Sequence, residues 1–218
     1  MTPAPSGQEA LYPSRAGAGS FLGRQLNQRY ETPIVVLGVT PTGVEVGAAA
    51  AKAMTCGFDV IVGSHVRLEG VGVIGAVAED GDAVLDPDFS PRFGMMDALE
   101  EAIEKARRGI KTERLLFRGQ RPVRSLEGAN VIIIDGHLTS PWKVLAAADY
   151  VSKAGAARIG IAAPVSTQQV QERIRARRFD FTSPSVLLDA TGHAHPFGDP
   201  EDPSAERLKS IVVARQAA

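Results

Sequence analysis

The chain contains little of several features that would narrow its function. A single cysteine, Cys56, excludes an internal disulfide and suits a reducing compartment. The 24 Lys and Arg residues balance 25 Asp and Glu residues, giving a formal net charge of −1, so the composition favours neither nucleic acid nor an anionic membrane as a partner. No apolar run approaches the length of a membrane span, and the N-terminus has no signal-peptide pattern. We therefore expect a cytoplasmic protein.

What is present is the composition of an ordinary folded domain. The 218 residues are 44% hydrophobic and 22% charged, which is enough for one substantial core. Residues 1–18 are rich in Pro, Gly, Ala and Ser and show little periodicity, so we predict a mobile leader there. Residues 19–218 are predicted to form a single domain.

The early part of the chain alternates strand, helix and strand. A buried strand pattern covers Pro33–Gly38, the Ala-rich Val44–Met54 has helical spacing, and Asp59–Gly63 is a second apolar strand. This alternation predicts an α/β fold with a mainly parallel sheet and right-handed crossovers. Further strands and helices are predicted at Arg158–Pro164, Thr167–Ala176, Ser185–Leu188 and Ala205–Arg215.

Between these regions the pattern changes. Asp82–Leu85 should pair with Val73–Val77 as a hairpin, because an acidic, glycine-containing turn lies between them. Met95–Leu116 has the apolar spacing of a long helix, and its many charges are typical of a solvated face. The arginines that follow, from Arg114 to Arg124, could gather anions, although an ordinary basic linker is the simpler interpretation.

The stretch Val131–Val144 (VIIIDGHLTSPWKV) is where we look for function. Its first four residues are β-branched and apolar, as in a strand buried on both faces of a parallel sheet. Asp135 ends this strand, and helical spacing returns from Trp142. Ligands of open α/β sheets lie beyond the carboxyl ends of the strands, and free N–H groups at a helix start favour anions. The sequence therefore predicts an anion site between Asp135 and Lys143.

Two nucleotide-binding patterns can be tested against the first loop, and neither fits. Gly38 and Gly43 have the glycine spacing of a P-loop, but Val44 and Glu45 stand where Lys and Ser or Thr should follow. The stretch from Thr42 to Gly47 is similar to the start of a short-chain dehydrogenase. That chemistry places a lysine four residues after a tyrosine on one helix face, whereas Lys153 follows Tyr150 by three.

The strand, acid, loop and helix of Val131–Val144 resemble the phosphoribosyl-pyrophosphate (PRPP) signature of type I phosphoribosyltransferases. The resemblance extends from about Phe21 to Val165, through Pro33–Gly47, the segment GAVAED at 75–80, the polar helix and the strand GIAAPV at 160–165. It implies a three-layer fold with a small hood or hairpin region beside the parallel sheet.

The motif departs from the family pattern at three places. Asp135 matches the first of two adjacent acids, but Gly136 stands in place of the second. The phosphate loop of the family reads Thr-Gly-x-Thr/Ser, against Ser140-Pro141-Trp142-Lys143 here. In the first loop, Pro41-Thr42-Gly43 replaces an Arg-Gly-Gly that approaches pyrophosphate in the relatives.

The resemblance implies a role for each residue that remains. Asp135 is the predicted catalytic residue, holding a ribose hydroxyl. Ser64–Gly72 corresponds to a loop that closes over the reacting centre, and Arg67 is its only Lys or Arg, although a plain mobile loop is the interpretation we favour. The predicted ligand-binding residues are Thr42, Gly43, Arg67, Gly136, His137, Thr139, Ser140, Pro141, Trp142 and Lys143.

Cofactors and partners follow in the same way. Mg²⁺ bound together with PRPP is the one cofactor that the resemblance implies, and no residue is predicted to ligate a metal by itself. His193 and His195, with Asp189 and Asp199 nearby, lack a further spaced ligand set. The expected partners are a small phosphorylated ligand and, in a homodimer, a second copy of this chain, with no nucleic acid and no membrane.

Two functions remain open. The first is an atypical phosphoribosyltransferase that binds a phosphorylated sugar or nucleotide-type ligand after the Val131–Asp135 strand and transfers weakly or not at all. The second is a non-catalytic protein on the same fold that senses a ligand or serves as a scaffold.

Overall fold

The computed structural model describes residues 10–92, 94–119, 121, 124–189, 196–199, 201 and 203–216. In chain order the elements are α1 (Arg15–Leu26), β1 (Ile34–Val39), α2 (Gly43–Met54), β2 (Gly57–Ile61), β3 (Ser64–Leu68), β4 (Gly72–Val77), β5 (Ala83–Leu85), α3 (Met96–Phe117), β6 (Asn130–Ile134), β7 (His137–Leu138), α4 (Trp142–Lys153), β8 (Arg158–Ala162), β9 (Val165–Thr167), α5 (Gln168–Ala176), β10 (Asp180–Thr182), β11 (Ser185–Leu187) and α6 (Ala205–Gln216).

A five-stranded sheet in the order β10-β8-β6-β1-β2 forms the centre, and every pair of neighbouring strands in it is parallel. β6 occupies the middle position, and Val131 to Ile134 are completely buried. The predicted α/β fold with β6 at the centre of a parallel sheet is therefore confirmed.

Both faces of β6 are covered, which explains its unbroken apolar run. Val131 and Ile133 pack on one side with the apolar face of α4. Ile132 and Ile134 pack on the other side with residues of α1, α2 and α6. Because side chains alternate along a strand, a strand between two helical layers needs apolar residues at every position. The layers are helix, sheet and helix, as expected.

A small antiparallel sheet, β3-β4-β5, stands beside the central one and corresponds to the predicted hood. The hairpin of β4 and β5 is confirmed. The interpretation of Ser64–Gly72 as a plain loop is wrong, because Ser64–Leu68 is strand β3 paired with β4. The reason is packing: Val66 and Leu68 are buried against Ile110 of α3 and its neighbours.

A second small sheet contains β11, β9 and β7, all parallel. β7 lies within the predicted loop after Asp135, so part of that loop is fixed by pairing with β9. The strand predicted at Ser185–Leu188 is present as β11, and it extends this small sheet rather than the central one.

Helix α1 begins within the predicted leader. Ser14 caps α1 by accepting a hydrogen bond from the N–H of Gly17, so residues 15–18 of the predicted leader are helical. Before the cap, Tyr12 pairs with Phe197 in a short bridge. Residues 1–9 lie outside the described residues, as do His193 and His195.

Membrane-spanning helices and metal-binding clusters are both absent from the described residues. Within them, no helix is long and apolar enough to cross a membrane. The same residues contain no group of three or more His, Cys, Asp and Glu side chains that could hold a metal ion.

A buried ion pair joins the end of α3 to the hood and the central sheet. The Arg118 guanidinium lies against the carboxylate of Glu79 and within 3.9 Å of that of Asp59, and it also donates to the carbonyl oxygen of Val60. All three charged side chains are at least 97% buried. Arg118 is thus part of the structure and unavailable to a ligand, unlike the exposed basic linker that the sequence suggested.

Replacing Arg118 by Met should lower the free energy of unfolding by about 3–5 kcal/mol, because it leaves two buried carboxylates without their cation. Urea denaturation measures this. The control is Arg177→Met, whose partly exposed pair with Asp149 should contribute about 1 kcal/mol or less. Equal losses in the two variants would contradict the structural role of Arg118.

Candidate functional site

Two loops meet at the carboxyl edge of the central sheet. β1 and β6 are neighbours, with Gly38 paired to Ile134, so the loops that follow them leave the sheet side by side. Thr42 of the first loop donates its hydroxyl hydrogen to Oδ1 of Asp135. Asp135 is 4% exposed, and no hydrogen bond from the described residues reaches its Oδ2. This second oxygen is the one that a ligand could approach.

Glycine allows the two loops to come this close. A Cβ atom on Gly136 would overlap the carbonyl oxygen of Thr42, and one on Gly43 would overlap the carbonyl oxygen of Ile134. Neither position accepts a side chain unless the backbone moves. The adjacent acid that the family signature carries therefore has no room at residue 136.

The start of α4 is more buried than its sequence suggested. Pro141 is the N-cap residue, and Trp142 packs in the core at 6% exposure, with the guanidinium of Arg173 5.5 Å from the centre of its ring. The hydroxyl oxygen of Ser140 is buried, and no described residue gives it a hydrogen bond. The Trp142 side chain thus belongs to the hydrophobic core that covers β6.

Lys143 is the cation of this loop, and it holds the two loops together. Its Nζ donates to the carbonyl oxygen of Thr40 over 2.9 Å. Two predicted ligand-binding residues precede Ser140 in the same loop. His137 is half-buried in β7, where it pairs with Val165, and Thr139 is exposed. The ammonium group keeps further N–H donors for a ligand, since it has three.

A cleft of about 410 Å³ opens between the first loop, β3 and α3. Arg67, Lys105 and Lys143 bring positive charge to its wall, and Glu113 is the one acid among the described residues that line it. Glu113 accepts a hydrogen bond of 2.7 Å from the hydroxyl of Thr40, so its charge is directed at the loop. The wall therefore carries net positive charge, which suits an anionic ligand.

Of the predicted ligand-binding residues, Arg67 and Lys143 line this cleft, and Thr42, Gly43 and Gly136 lie at the adjoining loop contact with the predicted catalytic residue, Asp135. Sequence reasoning missed His65, Lys105 and Glu113. His65 shares a strand with Arg67, two residues away, and that spacing places both on one face of β3. Nothing along α3 distinguishes Lys105 and Glu113 from the other charges of a solvated face.

Comparison with known proteins identifies the family. The model of the family described as "Phosphoribosyl transferase domain" matches residues 10–198. The chain belongs to this family. The resemblance in the Val131–Val144 stretch is thereby confirmed at the level of the whole domain.

The fold is shared with a solved structure of similar length. TT1426 from Thermus thermophilus is 26% identical to this chain, with a TM-score of 0.79, over 94% of this chain and 98% of TT1426. An adenine phosphoribosyltransferase from Thermoanaerobacter pseudethanolicus is 15% identical, with a TM-score of 0.48, over 79% of this chain and 80% of its own. A hypoxanthine phosphoribosyltransferase from Staphylococcus aureus is 14% identical, with a TM-score of 0.46, over 82% and 75%. The TM-scores of the last two structures are below 0.5, so they support no comparison of individual site residues.

In this phosphoribosyl transferase domain, restoring a side chain at residue 136 should destabilise the fold. Gly136→Ala should lower the free energy of unfolding by about 1–3 kcal/mol, since the Cβ must displace the backbone of Thr42. The control is Gly63→Ala, where the nearest heavy atom, in Lys143, lies at 3.4 Å, an ordinary contact. Thermal and urea unfolding compare the two variants; no difference between them would show that the loops are not tightly packed.

His65 titrates unusually in this domain. Burial lowers its pKa from 6.5 to about 4, and the charges of Lys143 and Arg67 act in the same direction, whereas Asp135 opposes them. Below about pH 6.5 the unfolded chain binds a proton at His65, and the folded chain does so only near pH 4. Stability contributed by neutral His65 is therefore fully present above pH 6.5 and decreases as the pH falls towards 4.

Replacing His65 by Gln should make the stability of the protein less dependent on pH in that window. We expect the variant to gain stability relative to the wild type as the pH falls from 7 to 5, because it has no imidazole to protonate on unfolding. Urea denaturation at the two pH values measures the difference. A constant difference between variant and wild type would contradict the lowered pKa of His65.

Proposed function

We propose that this phosphoribosyl transferase domain protein binds a small phosphorylated ligand of the ribose phosphate type in the cleft beside Asp135, and that it transfers phosphoribosyl groups from PRPP slowly or not at all. The observation that carries the proposal is the contact between the two loops, in which Gly136 lies against the carbonyl oxygen of Thr42. This contact leaves one carboxylate where the family signature has two.

Binding rests on charge and position. Arg67 and Lys105 are exposed on the cleft wall, and Lys143 reaches it from the start of α4. Charge-assisted hydrogen bonds to phosphate are stronger than neutral ones, and a guanidinium can make two in parallel. We expect Asp135 Oδ2 to accept a hydrogen bond from a ribose hydroxyl, because Oδ1 already accepts one from Thr42.

Phosphoribosyl transfer requires charged groups that this site lacks. Breaking the bond between the sugar C1 and pyrophosphate requires charge stabilisation on the leaving group and on the ribose. The acid missing at Gly136 and the arginine missing from the Pro41–Gly43 loop each remove a charge-assisted contact. Each such loss should reduce transition-state stabilisation by on the order of 1.5–3 kcal/mol, which lowers the rate roughly ten- to hundredfold.

The donor set fits Mg²⁺ poorly. Mg²⁺ is held by one or two carboxylates together with substrate phosphates. Here one oxygen of Asp135 is already engaged by Thr42, and the cations Arg67, Lys105 and Lys143 compete for the same phosphate oxygens. We therefore derive no step through the metal, and we propose that ligand binding depends little on it.

Non-catalytic ligand sensing on the same fold is the second candidate. The bond from Lys143 to the carbonyl oxygen of Thr40 favours it, because it ties the phosphate loop to the first loop. A ligand that recruits the ammonium group would loosen this tie and so change the contact between the loops.

Pyrophosphate release from PRPP tests the catalytic part of the proposal. With Mg²⁺ and adenine, hypoxanthine, guanine, uracil or orotate, we expect little turnover. Asp135→Asn is the matched variant, because its side-chain oxygen can still accept from Thr42 while the charge is removed. Rapid release by the wild type that Asp135→Asn abolishes would overturn the proposal of weak transfer.

Calorimetry tests the binding part. PRPP and ribose 5-phosphate should bind with affinities that change by less than about threefold when Mg²⁺ is added, whereas Arg67→Gln and Lys105→Gln should each weaken PRPP binding roughly tenfold. Lys209→Gln, on the exposed side of α6, is the control and should bind as the wild type does. Unchanged affinity in the two cleft variants would place the ligand elsewhere.

A further inference from the structure

We propose a second ligand site in the cleft between α3 and the turn that joins β4 to β5. Its ligand is a small phosphomonoester whose other end donates hydrogen bonds, as a nucleoside monophosphate does. This site lies on the other side of α3 from the first cleft, and the inference does not depend on the function proposed for that cleft.

The second cleft has the size of a ligand site. It encloses about 320 Å³, at the lower end of the range for small-molecule pockets, which is about 300–1,000 Å³. The turn from Glu79 to Asp82 forms one wall, and the face of α3 with Arg108, Lys111 and Arg114 forms the other. Ile110 supplies apolar surface between them.

Each acid of this cleft already has a cation. Glu79 is paired with Arg118, Glu104 with Arg107 at 2.6 Å, and Lys153 of α4 bonds to the carboxylates of both Asp80 and Asp82. The acidic wall therefore repels an anion less than its composition suggests.

The basic wall is not compensated in this way. Arg108, Lys111 and Arg114 follow one another at intervals of three on α3, and no described residue forms an ion pair with any of them. Like charges on neighbouring turns of a helix repel each other, and only Arg114, in the last turn of α3, is offset by the helix dipole. A phosphate between the two guanidinium groups and the ammonium group would remove the repulsion, and the planar guanidinium matches its oxygens.

The acidic wall suits the other end of such a ligand. A carboxylate has about four lone-pair positions, so Asp80 and Asp82 can bind Lys153 and still accept from a ribose hydroxyl or an exocyclic amine. The two walls thus differ in chemistry across one cleft, which fits a molecule that is anionic at one end and hydrogen-bond-donating at the other.

The cleft is also held in shape without a ligand. Arg107 Nε donates to the carbonyl oxygen of Gly81 over 2.8 Å, which fixes the turn to the helix. Lys153 fixes the same turn to α4. The acidic wall then needs little ordering on binding, and a pre-organised wall loses less free energy to it.

Calorimetry on the full chain without Mg²⁺ tests the site, with adenosine 5′-monophosphate, ribose 5-phosphate, inorganic phosphate and adenosine as probes. The triple variant Arg108→Gln, Lys111→Gln and Arg114→Gln should weaken binding of the monophosphate at least tenfold. The control is Arg67→Gln with Lys105→Gln, which weakens ribose-phosphate binding in the first cleft and should leave within twofold the monophosphate binding that the triple variant removes. All five side chains are partly or fully exposed, and the single variant Lys111→Gln, with a smaller loss, replaces the triple variant if that does not fold.

Among the probes, measured in the Arg67→Gln with Lys105→Gln control, adenosine 5′-monophosphate should bind more tightly than ribose 5-phosphate, and adenosine should not bind measurably. Loss of monophosphate binding in the control, with retention in the triple variant, would place the ligand in the first cleft and overturn the proposal. Absence of saturable binding at millimolar concentration would overturn it as well. Inorganic phosphate binding as tightly as the monophosphate would exclude a role for the acidic wall and reject the proposed ligand class.

Discussion

The site of this protein depends on how closely two pieces of backbone approach at the carboxyl edge of the sheet. β1 and β6 are parallel neighbours, so the loops after them emerge together. Gly43 and Gly136 lie where the carbonyl oxygens of Ile134 and Thr42 occupy the space of a Cβ atom. Backbone contact and a second acid therefore exclude each other. The remaining bonds, from Thr42 to Asp135 and from Lys143 to Thr40, are consequences of that approach.

α3 separates two surfaces of different charge pattern. Lys105 and Glu113 face the cleft beside the first loop, while Lys111 and its basic neighbours face the turn between β4 and β5. A helix with its side chains is about 10–12 Å across, which exceeds the Debye length of about 8 Å at physiological ionic strength. Charges on opposite faces are therefore largely screened from each other. The chain's net charge of −1 conceals this local separation.

Membership of the family establishes the domain, whereas the chemistry of the site bears on the function. The match over residues 10–198 establishes a phosphoribosyl transferase domain, and the parallel sheet with its hood agrees with that. Function is decided by individual residues, because one fold supports many activities. The residues that differ from the family signature, at Gly136 and in the loop from Ser140 to Lys143, stand where that signature has its ribose and phosphate contacts, and on this ground we propose binding with little transfer.

The sequence by itself determined the layers and the centre of the fold. An apolar run such as Val131–Ile134 is stable only between two helical layers, and alternating strands and helices lead to a parallel sheet, so periodicity and turn chemistry were sufficient. It also located Asp135 at a strand end. Strand β3 was missed because its burial comes from α3, about forty residues later in the chain, and no local pattern records such a partner. For the same reason only the tertiary structure decided that Arg118 is buried, that Trp142 belongs to the core, and that Lys105 faces a cleft: each depends on what distant parts of the chain place beside it.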